Sequence, residues 1–279
     1  MAYQNFIPTV WAEQINRELE RMCVFAEDCN RQYEGKVKAK GDSVRILGVG
    51  KPTITETTDK DITLSDAEDV EDTSITMPIN HIAYFNYKVD DIDKRQAVGG
   101  VMDALSKETS EGLANTMDKF IASFASNADA IKDAAAAYQI TAANVLEKID
   151  AAIQKLYEND VSPSTEIVLT CSPRFYFLLK QAYTKLDTDN SKMLENGRVG
   201  RYGNVVIKMS NNIATANNGA TDLIMVRTKR AIAFVNPMTH TEAYRPEKRF
   251  SDAVKGFVLY DGKIVRPKEM VVMNVKYTA

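Results

Sequence analysis

From Thr53 to Asp72 the chain reads T-I-T-E-T-T-D-K-D-I-T-L-S-D-A-E-D-V-E-D, and the fold turns on what this stretch does. Glu56, Asp59, Asp61, Asp66, Glu68, Asp69, Glu71 and Asp72 stand there against one base, Lys60. The flanks differ. Val44, Ile46 and Ile54 lie in β-type surroundings on one side, and Ile75, Met77, Ile79, Tyr84, Phe85, Tyr87 and Val89 return on the other. The pattern predicts a long β-hairpin over 44–90 whose outer part is polar and acidic. A two-stranded ribbon with so little apolar surface is marginal alone in water. A loop of this length inside a compact domain is uncommon unless it has a task. It is either a floppy insertion or an arm that becomes ordered across another subunit.

On the N-terminal side, Thr9 can cap a short helix in which Trp11, Ile15, Leu19 and Met22 share one face. This amphipathic piece must dock on its own domain or on a neighbour. On the C-terminal side, Asp93 opens the longest helical signal, with Val98, Val101, Met102, Leu105, Leu113, Met117, Phe120, Ile121 and Phe124 as its stripe. A helix over 93–127 would be a rod of roughly 50 Å, which suggests an elongated subunit. Thr141 starts another helix with Val145, Ile149, Ile153 and Leu156 inward, and a strand follows at Ile167 to Thr170. Ser172-Pro173 then reads as an N-cap and first-turn proline. Strands are expected at 205–209, 223–226, 231–235, 241–245, 254–259 and 270–275. Helices and strands mix without strict alternation, so the class is α+β.

Composition narrows the function. Among 279 residues, 44% are hydrophobic and 26% charged, as in ordinary folded proteins, and the net charge of -3 argues against a phosphate-gripping protein. Cys23, Cys29 and Cys171 have no paired spacing and read as free thiols in a reducing compartment. No run approaches the roughly 20 apolar residues needed to cross a bilayer. Gly48-Val49-Gly50-Lys51-Pro52 lacks the glycine and hydroxyl of a phosphate loop, with Arg45 and Pro52 in those places. Gly197, Gly200 and Gly203 precede a strand, the reverse of a dinucleotide turn, and read as shaping the turn into it. His81 and His240 are the only histidines, and His240-Thr241-Glu242 lacks the cysteine pair of a zinc deaminase. No catalytic residue, cofactor or metal site is expected.

The order of parts resembles the tailed-bacteriophage major capsid proteins of the Hong Kong 97 type. Val168-Leu169-Thr170-Cys171-Ser172-Pro173 running into helical Phe175 to Leu179 is similar to that family's strand-into-helix step. Gly200-Arg201-Tyr202-Gly203-Asn204-Val205-Val206 leading to Ser210-Asn211-Asn212-Ile213 resembles its glycine, strand and turn segment, and Arg249 to Gly256 through Val265-Arg266-Pro267 resembles its closing strands. The resemblance implies an N-terminal arm (1–43), an extended loop (44–90), a peripheral domain (91–139 and 237–252) with spine helix 93–127, and an axial domain (140–236 and 253–279). Its implied function is a coat subunit that assembles with copies of itself, as pentamers and hexamers, into an icosahedral head around double-stranded DNA touched without sequence reading. The subunit would be made in the host cytoplasm, reside in the virion, and have no enzymatic or membrane role.

Some members cross-link a loop lysine, but no motif marks Lys51 or Lys60 as reactive. About 40 residues precede the hairpin, so a separate scaffolding protein is implied, with a portal; decoration proteins are left open. By charge and position the inter-subunit candidates are Trp11, Lys51, Glu56, Asp59, Asp61, Glu68, Asp69, Glu71, Arg245, Lys248 and Arg249. The alternatives are an encapsulin-like compartment shell, a hydrolase or transferase with a dispersed site, and a nucleic-acid-binding module.

Overall fold

The ribbon is shorter and better anchored than its sequence suggests. The computed structural model describes residues 23–33, 43–49, 56, 72–90, 101–127, 129–184, 200–245 and 251–277. Within it, β1 (Ser43–Val49) pairs antiparallel with β2 (Asp72–Pro78), from Ser43↔Pro78 to Val49↔Asp72. Pro78 offers no amide hydrogen to continue the ladder. β3 (His81–Asp90), expected in the same hairpin, instead pairs with β12 (Ser251–Ile264), from Asp90↔Ser251 to His81↔Tyr260. Val44, Ile46, Met77 and Ile79 are buried together against Ala233, Val235 and Leu259. The base of the ribbon therefore rests on its own subunit, which corrects the expectation that the whole ribbon lacks apolar support. Residues 50–71, apart from exposed Glu56, lie outside the described residues, as does the expected helix at 9–22.

The helix expected over 93–127 is described as α1 (Val101–Ser123), about 34 Å long, closed by a 3-10 turn at Phe124–Ser126. Residues 91–100 are not described. Beyond α1 come β4 (Ile131–Lys132), β5 (Tyr138–Ile140), α2 (Val145–Glu158), β6 (Ile167–Cys171) and α3 (Pro173–Thr184). Ser172 caps α3, its Oγ accepting the Phe175 N–H at 3.4 Å. Then follow β7 (Arg201–Tyr202), β8 (Val205–Met209), β9 (Ala214–Ala216), β10 (Thr221–Thr228), β11 (Ile232–Tyr244) and, after β12, β13 (Met270–Tyr277). β11 joins two expected strands into one. Its register shifts between Val235 and Met238, where Asn236-Pro237 forms the irregularity that a proline imposes on a ladder. β11 and β12 run across the expected domain boundaries at 236/237 and 252/253.

Two sheets result. One has the order β4-β13-β10-β6-β8-β7, with β5 also on β13 and β9 on β10; the other is β11-β12-β3. Because successive side chains point to opposite faces, the larger sheet divides two cores. Leu223, Met225, Met270 and Val272 face Leu113, Met117 and Ile121 of α1, with Phe25 and Phe234. Ile224, Val226, Val271, Met273 and Val275 face α2 through Ile149 and Leu156, and α3 through Phe175 and Leu179. Cys23 and Cys29 flank a single 3-10 turn at Ala26–Asp28. With Cys171 they are buried free thiols, and burial pushes the Cys171 thiol up to about 12.

Gly256 of β12 sits opposite Phe85 of β3. A Cβ there would lie 2.5 Å from the Phe85 ring and 2.7 Å from the His240 carbonyl oxygen. Gly256→Ala is therefore expected to cost about 1–3 kcal/mol, the usual range for overpacking. Denaturant unfolding of G256A and of G256A with Phe85→Ala checks this. The second change should recover part of the loss, since it removes the ring but not the carbonyl.

Candidate inter-subunit surface

The smaller sheet presents one face outward, and its register sets three cross-strand rows there. Ile82 stands beside Leu259, Tyr84 beside Phe257 and His240, and Asn86 beside Lys255 and Glu242. Leu259 is buried under the ribbon base. Away from Leu259 the cover stops: Ile82, directly across from it, is 39% exposed, and Tyr84, one row on, is 80% exposed. The His240 and Phe257 rings meet tilted at 42°, with 5.8 Å between their centroids. The third row is polar. Lys255 pairs with Glu242 at 3.2 Å and lies over the Tyr244 ring, whose hydroxyl donates to Asn86 at 3.2 Å. An aromatic centre beside a polar margin is the anatomy of a protein–protein contact, where tyrosine is a favoured anchor.

A second feature anchors the segment around Phe25. Asp118 on α1, 2% exposed, accepts the backbone N–H groups of Val24 at 2.8 Å, Phe25 at 3.0 Å and Ala26 at 3.3 Å. Burial pushes its carboxyl up, opposed by those three hydrogen bonds. Arg227 on β10 is wholly buried and donates to the Phe25 carbonyl at 3.0 Å and to the Asp28 carbonyl. Lys208 reaches Glu27 at 2.7 Å and Asp28 at 2.8 Å. Its hydrogen bond holds the Glu27 carboxyl below the usual carboxylate range. Asn30 bridges β11 through Ile232 and Phe234. Residues 24–30 are thus clamped from a helix and three strands.

Sequence reasoning did not single out this clamp. The available signals were an acid at a stripe position of α1, between Met117 and Ile121, and a lone charge in the apolar run Leu223 to Thr228.

Among the expected contact residues, Arg245 follows β11 and is exposed, and Glu56 is exposed. Trp11, Lys51, Asp59, Asp61, Glu68, Asp69, Glu71, Lys248 and Arg249 lie outside the described residues. Gly203 has φ +56° in the turn between β7 and β8, which matches the turn role read for it.

Chemistry of another kind is sparse among the described residues. The Ser172 hydroxyl meets the Tyr277 hydroxyl at 2.8 Å, which donates to Asp222 at 2.8 Å, with the Arg174 guanidinium 4.7 Å above the Tyr277 ring. Burial raises the Tyr277 hydroxyl's pKa, so this chain offers the serine no ready base. It ties the end of β13 to the start of α3. No group of three or more metal-ligating side chains occurs among the described residues, and no described helix is long and apolar enough to cross a membrane.

Comparison with known proteins places this framework. A family model described as phage capsid protein matches residues 82–273. A structure from Mycobacterium phage Che8 is similar at 28% identity and TM-score 0.73, covering 90% of each chain. The capsid structure of cyanophage P-SCSP1u shares the fold at 15% identity and TM-score 0.73, over 92% of this chain and 89% of that one. A virus-like particle from Pyrococcus furiosus shares it at 13% identity and TM-score 0.61, over 96% and 99%. No curated protein sequence matches the chain.

Proposed function

This chain belongs to the phage capsid protein family, and we propose that it is the major capsid protein of a tailed bacteriophage. The observation that carries the reading is the family match over 82–273, which takes in α1, α2, α3, β12 and most of both cores. Copies of the chain assemble as pentamers and hexamers into an icosahedral head, with a separate scaffolding protein and a portal taking part. The head encloses double-stranded DNA, which it touches without reading sequence. Its role is structural, and assembly takes place in the host cytoplasm.

Closed shells reuse a few heterologous contacts many times. Tyr84 and Ile82 supply an apolar anchor for such a contact. Acidic residues 56–72 of one copy meet bases of the next, with Arg245, Lys248 and Arg249 the partners by charge, while Lys51 and Trp11 make further contacts. Segments that gain order only on assembly lose their conformational entropy at that moment, which keeps free subunits soluble until they are concentrated or templated. A compartment shell is the less supported reading, since the family model that matches the chain is that of phage capsid proteins.

Negative-stain microscopy of the chain expressed with and without its scaffolding protein tests the reading. Head-sized shells that need the scaffold are expected; small uniform shells formed by the chain alone would favour the compartment instead. Glu68→Lys with Asp69→Lys should lower particle yield about tenfold, because exposed pairs are worth up to about 1 kcal/mol each and 1.4 kcal/mol is a factor of ten. The circular dichroism of the free subunit should be unchanged. Normal yield from that variant would count against a charge-led contact.

A further inference from the structure

We propose that the paired turns Lys229-Arg230 and Arg266-Pro267-Lys268 form a contact surface for the phosphate backbone of double-stranded DNA. This rests on the shell reading above and names the part of the subunit that meets the packaged polyanion.

Both turns cross from one sheet to the other, β10 into β11 and β12 into β13. They lie side by side, because the Ala231 carbonyl accepts the Val265 N–H at 2.9 Å and the Arg266 N–H at 3.1 Å. Lys229, Arg230, Arg266 and Lys268 are all exposed there. Arg201 joins them through Glu166, whose carboxylate lies 3.1 Å from Arg201 and 3.9 Å from Lys229. The nearby Asp28, 3.7 Å from Lys229, is buried and already faces Lys208 at 2.8 Å. Cationic side chains therefore outnumber acids here, on a chain whose net charge is -3. The excess is local.

Two of the cations are set in place before any partner arrives. Glu269 is buried beneath the turns, where one oxygen accepts from Arg266 Nη1 at 2.8 Å. Its other oxygen takes the Thr228 hydroxyl and faces Arg230 Nε at 3.4 Å. Burial works against the charge on Glu269, but these hydrogen bonds and the two guanidinium groups hold its carboxyl below the usual carboxylate range. A guanidinium carries five N–H donors, so each arginine keeps donors for solvent after meeting Glu269, and both are about half exposed. Side chains ordered in advance lose little freedom when a ligand arrives. Their planar fork also matches the oxygens of a phosphate.

Surface chemistry separates a nucleic acid from a protein partner. A protein contact is built on an apolar centre, and neither turn carries an exposed large hydrophobic residue. Those of the described surface are Ile82, Tyr84, Tyr157, Phe177 and Met209. The turns also lack an aromatic ring on which an unpaired nucleobase could stack, which favours a duplex over a single strand. Cationic side chains with neither feature hold a phosphate backbone and read no sequence.

Fluorescence anisotropy of a labelled DNA duplex with the full-length free subunit tests the surface. Lys229→Gln with Lys268→Gln spares the Glu269 cluster, so the melting midpoint should change little. Affinity for the duplex at low salt should fall about tenfold, and the slope of log K against log salt should flatten by about 1.8, or about 0.9 for each lost phosphate contact. Lys107→Gln with Lys119→Gln removes the same charge from exposed positions of α1. Binding should then be unchanged; an equal loss would mean that only net charge matters, and overturns the surface. A duplex of different sequence should bind as well, and a preference above about tenfold overturns contact without sequence reading. A synthetic peptide of residues 56–72 is the rival polyanion. If it binds more tightly than the duplex, and K229Q/K268Q abolishes that binding, the partner is a protein segment and the inference falls. Unaltered affinity and slope in K229Q/K268Q sink it as well. Particle formation with scaffold keeps the two readings apart: an unaltered chain that forms no particles overturns the shell reading, whereas normal particles with unchanged DNA binding overturn this surface alone.

Discussion

Arg227→Ala is expected to lower the free energy of unfolding by about 3–5 kcal/mol, the range for breaking a buried charged network. Arg227 is wholly buried in β10 and donates to the carbonyls of Phe25 and Asp28. Truncation strands both carbonyls away from water and leaves the buried Asp118 carboxylate without its nearby cation. Lys208 and Lys229 still face Asp28, at 2.8 Å and 3.7 Å, but neither is placed to reach into the core. Arg227→Lys should recover little, because an ammonium cannot fork between two acceptors as a guanidinium does. Guanidinium unfolding followed by circular dichroism measures the loss. Limited proteolysis should cut first within 23–33, because the segment loses its main internal tie. A midpoint equal to the unaltered protein's would mean that the clamp does not hold the segment.

The second large effect lies in the other core. Phe175→Ala should cost about 3–5 kcal/mol, the usual price of removing a buried aromatic ring. Phe175 is 0% exposed and packs with Leu179, Ile149 and Leu156 beneath the larger sheet. Capping by Ser172 holds the first turn of α3 in place, so the helix cannot slide to fill the space. Arg227 and Phe175 belong to cores on opposite faces, and their losses should add within about 0.5 kcal/mol. A sum well short of that would show that the sheet passes strain between its faces. Equilibrium unfolding of both single variants and the double variant measures each case.

The local parts of this fold were legible because each declares its own period. The stripe of α1, the inward residues Val145, Ile149 and Leu156 of α2, and the Ser172-Pro173 start of α3 all follow from neighbours three or four positions away. What escaped was partnership. Alternation marks Tyr84, Phe85 and Tyr87 as strand residues but does not say which edge they join. The nearest candidate was the rest of the hairpin; the true partner, β12, comes more than 160 residues later. The same holds for Asp118 and Arg227, whose meaning depends on a loop some 90 and 200 residues away. The outward patch was partly readable. Tyr84 was visible as an aromatic strand residue, but its exposure depends on where the ribbon base stops covering the sheet.

The pairing of β3 with β12, and of β4 with β13, has a further bearing on biosynthesis. A chain leaving the ribosome holds His81 long before Tyr260 exists, and Ile131 long before Val271. Until those late strands arrive, neither sheet can close, and such distant pairing slows folding. A polypeptide that ends before β11 and β12 lacks Ala233, Val235 and Leu259, and with them the platform on which the ribbon base rests.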